Sequence, residues 1–448
     1  MQHTNSITEG SIIKPLLLFF FPILFGTFFQ QLYNTVDALV VGNILGKEAL
    51  AAVGGTTGIY LNLYIGFFVG LSSGATVLIS QFFGSRDYQK ISSTVHTSMA
   101  ISLIMGVILT IVGIITAKDM LILLGVPEEI LGLSITYINI YFIGFTIMLI
   151  YNMGCAILRA VGDSKHPLYY LIISCIVNII LDILFVYYFK MGIAGAGYAT
   201  VIAQLVAAIL VVLSLINSED ALHLDLRKLK VIDFDILKNM FKIGMPGGVQ
   251  SVLYTISNLI IAAAINSFGV DAIAANTAFG KIDAIFWMMS GAFGIAITTF
   301  VGQNFGARKI ERVKKSINYW ILFSIACSIG ITVICYVFAP NLLKIFNNDP
   351  NVIRIGQEII RYIAPFWAVF IPVEILAGGL RGMGDSLLPT IITAIGIVVV
   401  RILWIIIIPN PSFIMVLLVY PVSWIVTSLA FLIYYYGGFY KKHIKSLA

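Results

Sequence analysis

Charged residues are scarce in this chain: Asp, Glu, Lys and Arg make up 11% of its 448 residues. A soluble domain carries about a quarter. With 59% apolar residues and a mean hydropathy of +0.99, the shortage excludes a soluble globular domain and a disordered chain. Cysteine is scarce too. Cys155, Cys175, Cys327 and Cys335 all lie in apolar runs and form no Cys-x-x-Cys pair, which argues against a disulfide scaffold and a thiolate metal site. Enzymatic signatures are missing. Gly280-Lys281-Ile282 lacks the Ser/Thr and the glycine spacing of a phosphate loop, and there is no His-Glu-x-x-His or nucleophile elbow. No catalytic residue and no ATP use are therefore expected. The first ten residues are polar, and the apolar run after them has no small-residue cleavage site, so it reads as a span rather than a signal peptide. The net charge of +6 fits loops facing a cytoplasm better than a nucleic-acid surface, and no nucleic-acid partner is expected.

What the chain does have is long apolar runs. They occupy residues 13–41, 49–80, 91–117, 130–157, 168–189 and 194–216, then 240–266, 271–301, 316–339, 352–379, 389–408 and 413–436. At about 20 residues per crossing, these predict an all-α polytopic membrane protein of about twelve transmembrane helices. The most polar stretch, 217–242, falls between the two series. It divides the chain into an N-terminal six-helix lobe (1–216), a cytoplasmic linker (217–239) and a C-terminal six-helix lobe (240–448). The apolar spacing of Ile232, Ile236, Leu237, Met240 and Phe241 predicts that the linker ends in a helix lying on the membrane surface.

Lys and Arg set the orientation. With the N-terminus inside, nineteen of them fall on inner segments, Lys442 and Lys445 included. Five fall outside: Lys47, Lys118, Lys190, Lys344 and Arg354. The remaining three, Lys281, Arg361 and Arg401, lie within spans. Both termini are expected in the cytoplasm.

The two series repeat each other. Gln81-Phe82-Phe83-Gly84-Ser85-Arg86 follows the second span, and Gln303-Asn304-Phe305-Gly306-Ala307-Arg308 follows the eighth. Arg159-Ala160-Val161-Gly162-Asp163-Ser164 with Pro167 follows the fourth, and Arg381-Gly382-Met383-Gly384-Asp385-Ser386 with Pro389 follows the tenth. Both pairs are 222 positions apart, and Pro22 and Pro246 match at 224. Six spans per copy start both copies on the same side, so the repeats are parallel. Two pseudo-symmetric six-helix bundles around a central cleft are expected. The loops themselves read as tight turns, with Gly and Asp turning the chain and Pro opening the next helix.

The duplicated Gln-x-x-Gly-x-Arg and Arg-x-x-Gly-Asp-Ser-x-x-Pro loops resemble those of the MATE (multidrug and toxic compound extrusion) family, over nearly the whole chain. The resemblance implies a bacterial inner-membrane antiporter that exports lipophilic, often cationic small organic compounds in exchange for H⁺ or Na⁺. No other cofactor is implied, and function as a monomer in the lipid bilayer is expected. The superfamily also implies an alternative, a flippase for a lipid-linked or polysaccharide precursor. That cargo is anionic and calls for a cleft rich in Arg and Lys.

Carboxylates inside spans cost several kcal/mol and point to function. Asp37 lies roughly 30 Å along the first helix from Leu17, and Asp182 roughly 22 Å along the fifth from Pro167. Thr200 lies roughly 12 Å below the outer end of the sixth. Each has a companion on the same helix face: Asn34 with Asp37, Asn178 with Asp182, Gln204 with Thr200. The family resemblance implies that Asp37, Asn178, Asp182 and Thr200 form a cation-coupling site able to hold Na⁺, and that Pro22 lets the first helix bend. The second lobe does not repeat the site, because Asn178 and Asp182 map to Val400 and Trp404. Its own intramembrane charges, Glu374, Asp283 and Arg401, are expected to pair with one another. Gln250, Tyr254, Phe286, Trp287, Met288 and Met289 are candidates for a substrate cleft. Gly66, Gly70 and Gly74 form a small-residue stripe expected to pack inside the first lobe, and His96 and His166 are expected to be solvated.

Overall fold

The computed structural model describes residues 7–54, 56–408, 412–439 and 441, with Thr56 and Ile59 described by backbone alone. Lys442 and Lys445, counted above to the inner side, lie outside the described residues. Among the described residues there is no strand.

Among the described residues, eleven helices are long and apolar enough to cross a membrane, and a bent pair taken as one span makes twelve. The first six are Ile13–Leu45, Tyr60–Ser85, Tyr88–Leu123, the pair Glu128–Ile143 and Phe145–Ala160, Lys165–Tyr188 and Ile193–Ile216. The second six are Phe234–Asn266, Val270–Gly306, Ile310–Val337, Pro350–Gly382, Leu387–Ile407 and Phe413–Tyr436. The expected spans are all present. Three details differ. Lys47–Gly54 is a separate short helix, turned off the first span at Gly46 (φ +89°), so the second span starts later than its apolar run. The fourth span bends by 50° at Gly144, where a Cβ would stand 2.5 Å from Val201. The third difference is in the linker. No separate surface helix ends it: a short 3₁₀ helix, Leu226–Lys230, leads into a seventh span that begins at Phe234. Ile236 and Met240 are buried, which makes their helical spacing part of a membrane helix and not of an interfacial one.

The repeated loops have the same backbone in both copies. Arg86 and Arg308 take left-handed φ values of +61° and +59°, and Gly162 and Gly384 take +97° and +92°. Asp163 Oδ1 accepts from the backbone N–H of Lys165 and His166, and Asp385 Oδ1 accepts from that of Leu388. These carboxylates close the turn and satisfy the open end of the next helix, which bears out the structural reading of the motif.

The described chain separates into two compact units. One runs Leu18–Gly248. The other takes the residues up to Leu17 and those from Val249 onward. Both boundaries differ from 216 and 240, and local contacts explain each. The glycine stripe of the second span packs backbone to backbone on the N-terminal part of the seventh. A Cβ on Gly70 would lie 2.2 Å from the Gly248 nitrogen, and one on Gly74 would lie 2.2 Å from the Met240 carbonyl oxygen. The linker is pinned to the third span: His96 Nε2 accepts from the Asp225 N–H, and Thr97 Oγ1 accepts from the Asp233 N–H. His96 is therefore buried and hydrogen-bonded at both ring nitrogens, contrary to expectation. At the other boundary Arg312 gathers the carbonyl oxygens of Ile7, Glu9, Gly10 and Ser11 at 2.7–3.1 Å. Lys309 adds Thr8 at 2.8 Å. Side chains of the second half of the chain thus satisfy the polar backbone that precedes the first span.

Candidate coupling-ion site

Three spans of the Leu18–Gly248 unit bring the predicted residues together. The first carries Tyr33, Asn34 and Asp37 along a helix that accommodates Pro22 without a break. The fifth carries Asn178 and Asp182 one turn apart. Immediately after Asp182 the helix widens into a π turn, Ile183–Tyr188. Such turns leave backbone groups out of the α-helical ladder and recur at functional sites. The sixth carries Thr200 and Gln204. It is held against the fifth by Ser174 Oγ, which donates to the Ala203 carbonyl at 2.8 Å.

Asp37 stands beside Asp182, and Tyr33 beside Thr200. Asp182 and Asn178 are 0% exposed, Thr200 3% and Asp37 6%. Yet Asp37 Oδ1, both oxygens of Asp182, both amide atoms of Asn178 and the Thr200 hydroxyl have no hydrogen-bond partner among the described residues. Polar atoms buried in this way cost about 1–3 kcal/mol each, more when charged. A cluster of them is not explained by packing. The donor set is two carboxylates, an amide oxygen and a hydroxyl, all hard oxygen ligands that suit H⁺ or Na⁺ and not a soft metal.

A cavity of about 500 Å³ opens beside the cluster. Asp37, Asn34 and Gln204 line it, while Asn178, Asp182 and Thr200 do not. Asp37 is thus the one member of the four-residue set in contact with the cavity, and Asp182 lies behind it. The cavity wall also contains Tyr33, Tyr137 and Tyr141. Tyr137 and Tyr141 come from the fourth span, which sequence reasoning left out. Their i,i+4 spacing on an apolar helix was the available signal. Close packing puts them there, since a Cβ on Gly197 of the sixth span would lie 2.9 Å from Ile140.

In the unit from Val249 onward the three expected charges do not form one network. Glu374 lies 3.7 Å from Arg381 of the repeated loop, with its carboxylate filling the space a Cβ on Gly294 would need. It sits eight positions, roughly 12 Å, from the C-terminal end of its span. Asp283 accepts from the indole N–H groups of Trp287 (2.7 Å) and Trp367 (3.0 Å). Arg401 bonds to Asn258 and Ser423. The aromatic and Met candidates are largely core. Phe286 is buried and stacked on Trp367 at 5.0 Å, Met289 is buried, Met288 is half-buried and only Trp287 is exposed. Gln250 and Tyr254 are half-buried on the seventh span. Lys281 and Arg361 are exposed. Because Glu374 has a cation partner and Asp37 has none among the described residues, Glu374→Gln should reduce transport less than Asp37→Asn at equal membrane content. The reverse ranking in a vesicle transport assay would move the coupling site to the C-terminal unit.

The comparison with protein families decides the identity. The MatE model matches twice, over residues 22–184 and again over 246–407. This chain belongs to the MatE family. The two matches start 224 positions apart, the offset of Pro22 and Pro246. As a MatE protein it is a multi-pass membrane transporter and not an enzyme. Among its relatives is a Bacillus subtilis protein named "Probable multidrug resistance protein YoeA", 28% identical over 88% of this chain and 86% of the other. A Thermotoga maritima protein named "Probable multidrug resistance protein NorM" is 26% identical over 86% and 83%. A solved structure described as MATE in the bent conformation superposes with a TM-score of 0.90 at 22% identity, covering 100% of this chain and 98% of that one. At that identity the match speaks for the fold alone.

Proposed function

We propose that this MatE protein is a secondary active exporter of lipophilic organic compounds, driven by H⁺ or Na⁺ taken up at Asp37 and Asp182. The observation that carries the reading is the pair of adjacent carboxyl groups with unsatisfied oxygens, one of them open to a cavity and the other sealed behind it. Two carboxyl groups so placed titrate as a coupled pair, and a cation bound between them changes the charge of the whole site. An ion entering the cavity meets Asp37 first and reaches Asp182, Asn178 and Thr200 through it. With the ion absent, the uncompensated charge favours a cationic substrate. With the ion bound, that attraction is gone. Pro22, fifteen positions before Asp37, removes one helix hydrogen bond and gives the first span a place to bend as the site fills. The names of the relatives support a multidrug cargo.

The test is efflux of ethidium from proteoliposomes under an imposed ΔpH or ΔNa⁺. Export against the ethidium gradient under either ion gradient supports the reading, and its absence under both removes it. Orientation is tested separately, in a cysteine-free background. Single cysteines at Lys118, Lys190 and Lys344 should label with an impermeant thiol reagent from outside, and cysteines at Arg86, Lys165 and Arg308 only from inside. Mixed labelling within either group would overturn the cytoplasmic placement of the termini.

A further inference from the structure

Arg401 is 2% exposed inside the eleventh span, yet no carboxylate among the described residues pairs with it. Its Nε donates to Ser423 Oγ at 3.1 Å and its Nη1 to Asn258 Oδ1 at 2.9 Å, and its guanidinium lies 4.7 Å over the Tyr420 ring. All three partners are neutral. Asp283, whose charge acts on it, forms no ion pair with it and is itself held by two indoles. Nη2 donates to no described residue. Asn258 is exposed, and its amide N–H₂, turned away from the oxygen that Arg401 uses, also donates to none. A buried charge inside a membrane span without a counter-charge is expensive to keep and marks function by default.

The position in the repeat gives this arrangement its meaning. Asn258 is the counterpart of Asn34 at the proline offset of 224. The sixth and twelfth spans are both 24-residue helices, and Tyr420 occupies the eighth place in one as Thr200 does in the other. By the loop offset of 222, Arg401 maps to Ile179, one residue past Asn178. However, the eleventh span contains a π turn, Ala394–Val399, between Pro389 and Arg401. A π turn takes in one more residue than an α turn and so moves everything after it back by one place. Arg401 therefore stands at the place of Asn178. The fifth span's own π turn comes after Asp182 and leaves Asn178 and Asp182 in register. The same three spans of each unit thus carry the same kind of site with opposite charge: carboxylates with unsatisfied oxygens in one, a guanidinium without a counter-charge in the other.

We propose that Arg401, with the Asn258 amide, forms a second binding site that takes the carboxylate of an organic substrate. Nη2 and the Asn258 N–H₂ supply the donors. The Tyr420 ring, with Trp424 5.9 Å from it, supplies an aromatic wall for the body of the molecule. This deepens the export reading by naming a substrate class, compounds that carry an acidic group. It is tested without any ion gradient, so the two can fail separately.

The full-length protein in phosphatidylcholine nanodiscs is titrated calorimetrically with sodium benzoate, and separately with benzamide and with sodium chloride. Benzoate should bind saturably at one site, and benzamide, the uncharged isostere, about tenfold more weakly or worse, as expected for loss of a charged hydrogen bond. Arg401→Gln should weaken benzoate by a similar factor. Should that variant fail to fold, Asn258→Asp serves in its place: it puts a carboxylate on Arg401 from within, keeps the contact and should exclude benzoate from a protein that melts no lower than wild type. Equal binding of benzoate and benzamide, saturable chloride binding without benzoate binding, no binding at all, or benzoate binding unchanged in both variants would each overturn the assignment and leave Arg401 a brace between helices.

Discussion

Asp182→Asn should abolish gradient-driven efflux while leaving the protein folded, and Asp37→Asn should do the same. A carboxamide matches the carboxylate in size but neither ionises nor takes up a proton, so the change removes the site's charge chemistry and little else. Folding should survive because the site is already frustrated. The carboxyl oxygens of Asp182 have no partner to lose, and relief of buried charge offsets whatever packing changes. The expected result is efflux at the rate of empty liposomes under ΔpH and under ΔNa⁺, with a thermal midpoint equal to or above that of wild type. The two variants should also differ from each other. Asp37 lines the cavity and Asp182 does not, so an impermeant carbodiimide should reach Asp37 first, and only in the protein that still carries it. Wild-type efflux from both variants would make the cluster a packing feature and end the coupling assignment.

The second large effect is on folding. Gly70→Leu and Gly244→Leu should each cost most of the folded protein in the membrane. Overpacking ordinarily costs about 1–3 kcal/mol because side chains can shift aside. Here the obstructing atoms are backbone. A Cβ on Gly244 would sit 2.4 Å from the Leu71 carbonyl oxygen, and one on Gly70 would sit 2.2 Å from the Gly248 nitrogen. Neither helix can give way without separating from the other. Gly291→Ala on the eighth span is the control, since nothing lies within 4 Å of the added Cβ, and it should be tolerated. The readout is the monodisperse fraction after solubilisation, compared with wild type. Normal recovery of Gly70→Leu would mean that the second and seventh spans do not approach as described.

The sequence made the spans legible because a bilayer demands long apolar runs, and it made the repeat legible because loop motifs keep their spacing. It also yielded Asp37, Asn178, Asp182 and Thr200, since polar residues stand out in such runs and helical spacing sorts them by face. What it hid follows from the same physics. Apolar patterning does not distinguish a lipid-facing side chain from a buried one, so Phe286 and Met289 looked like cleft residues and are core. Tyr137 and Tyr141 blended into their span because tyrosine is common in membrane helices. The apolar spacing of Ile232, Ile236, Leu237, Met240 and Phe241, next to the most polar stretch, made the beginning of the seventh span look like a surface helix, although Ile236 and Met240 are buried. The hold of Arg312 on the carbonyls of residues 7–11 joins positions some three hundred apart and uses backbone acceptors, which have no side-chain signature.

The π turn at Ala394–Val399 bears on how a duplicated gene can diverge. In an α-helix, one added codon rotates every later side chain by about 100° and advances it by about 1.5 Å. A π turn takes up the added residue locally, so the positions after it keep their faces and each can change by substitution alone. A half-repeat with a π turn ahead of its site thus keeps the place of that site while the residues in it change, with the surrounding helices left as they were. An alignment of the two halves made without a gap places Arg401 one residue off and conceals the correspondence. Deleting one residue within 394–399 closes the π turn into an α turn and leaves Arg401 facing Asn258 and Ser423.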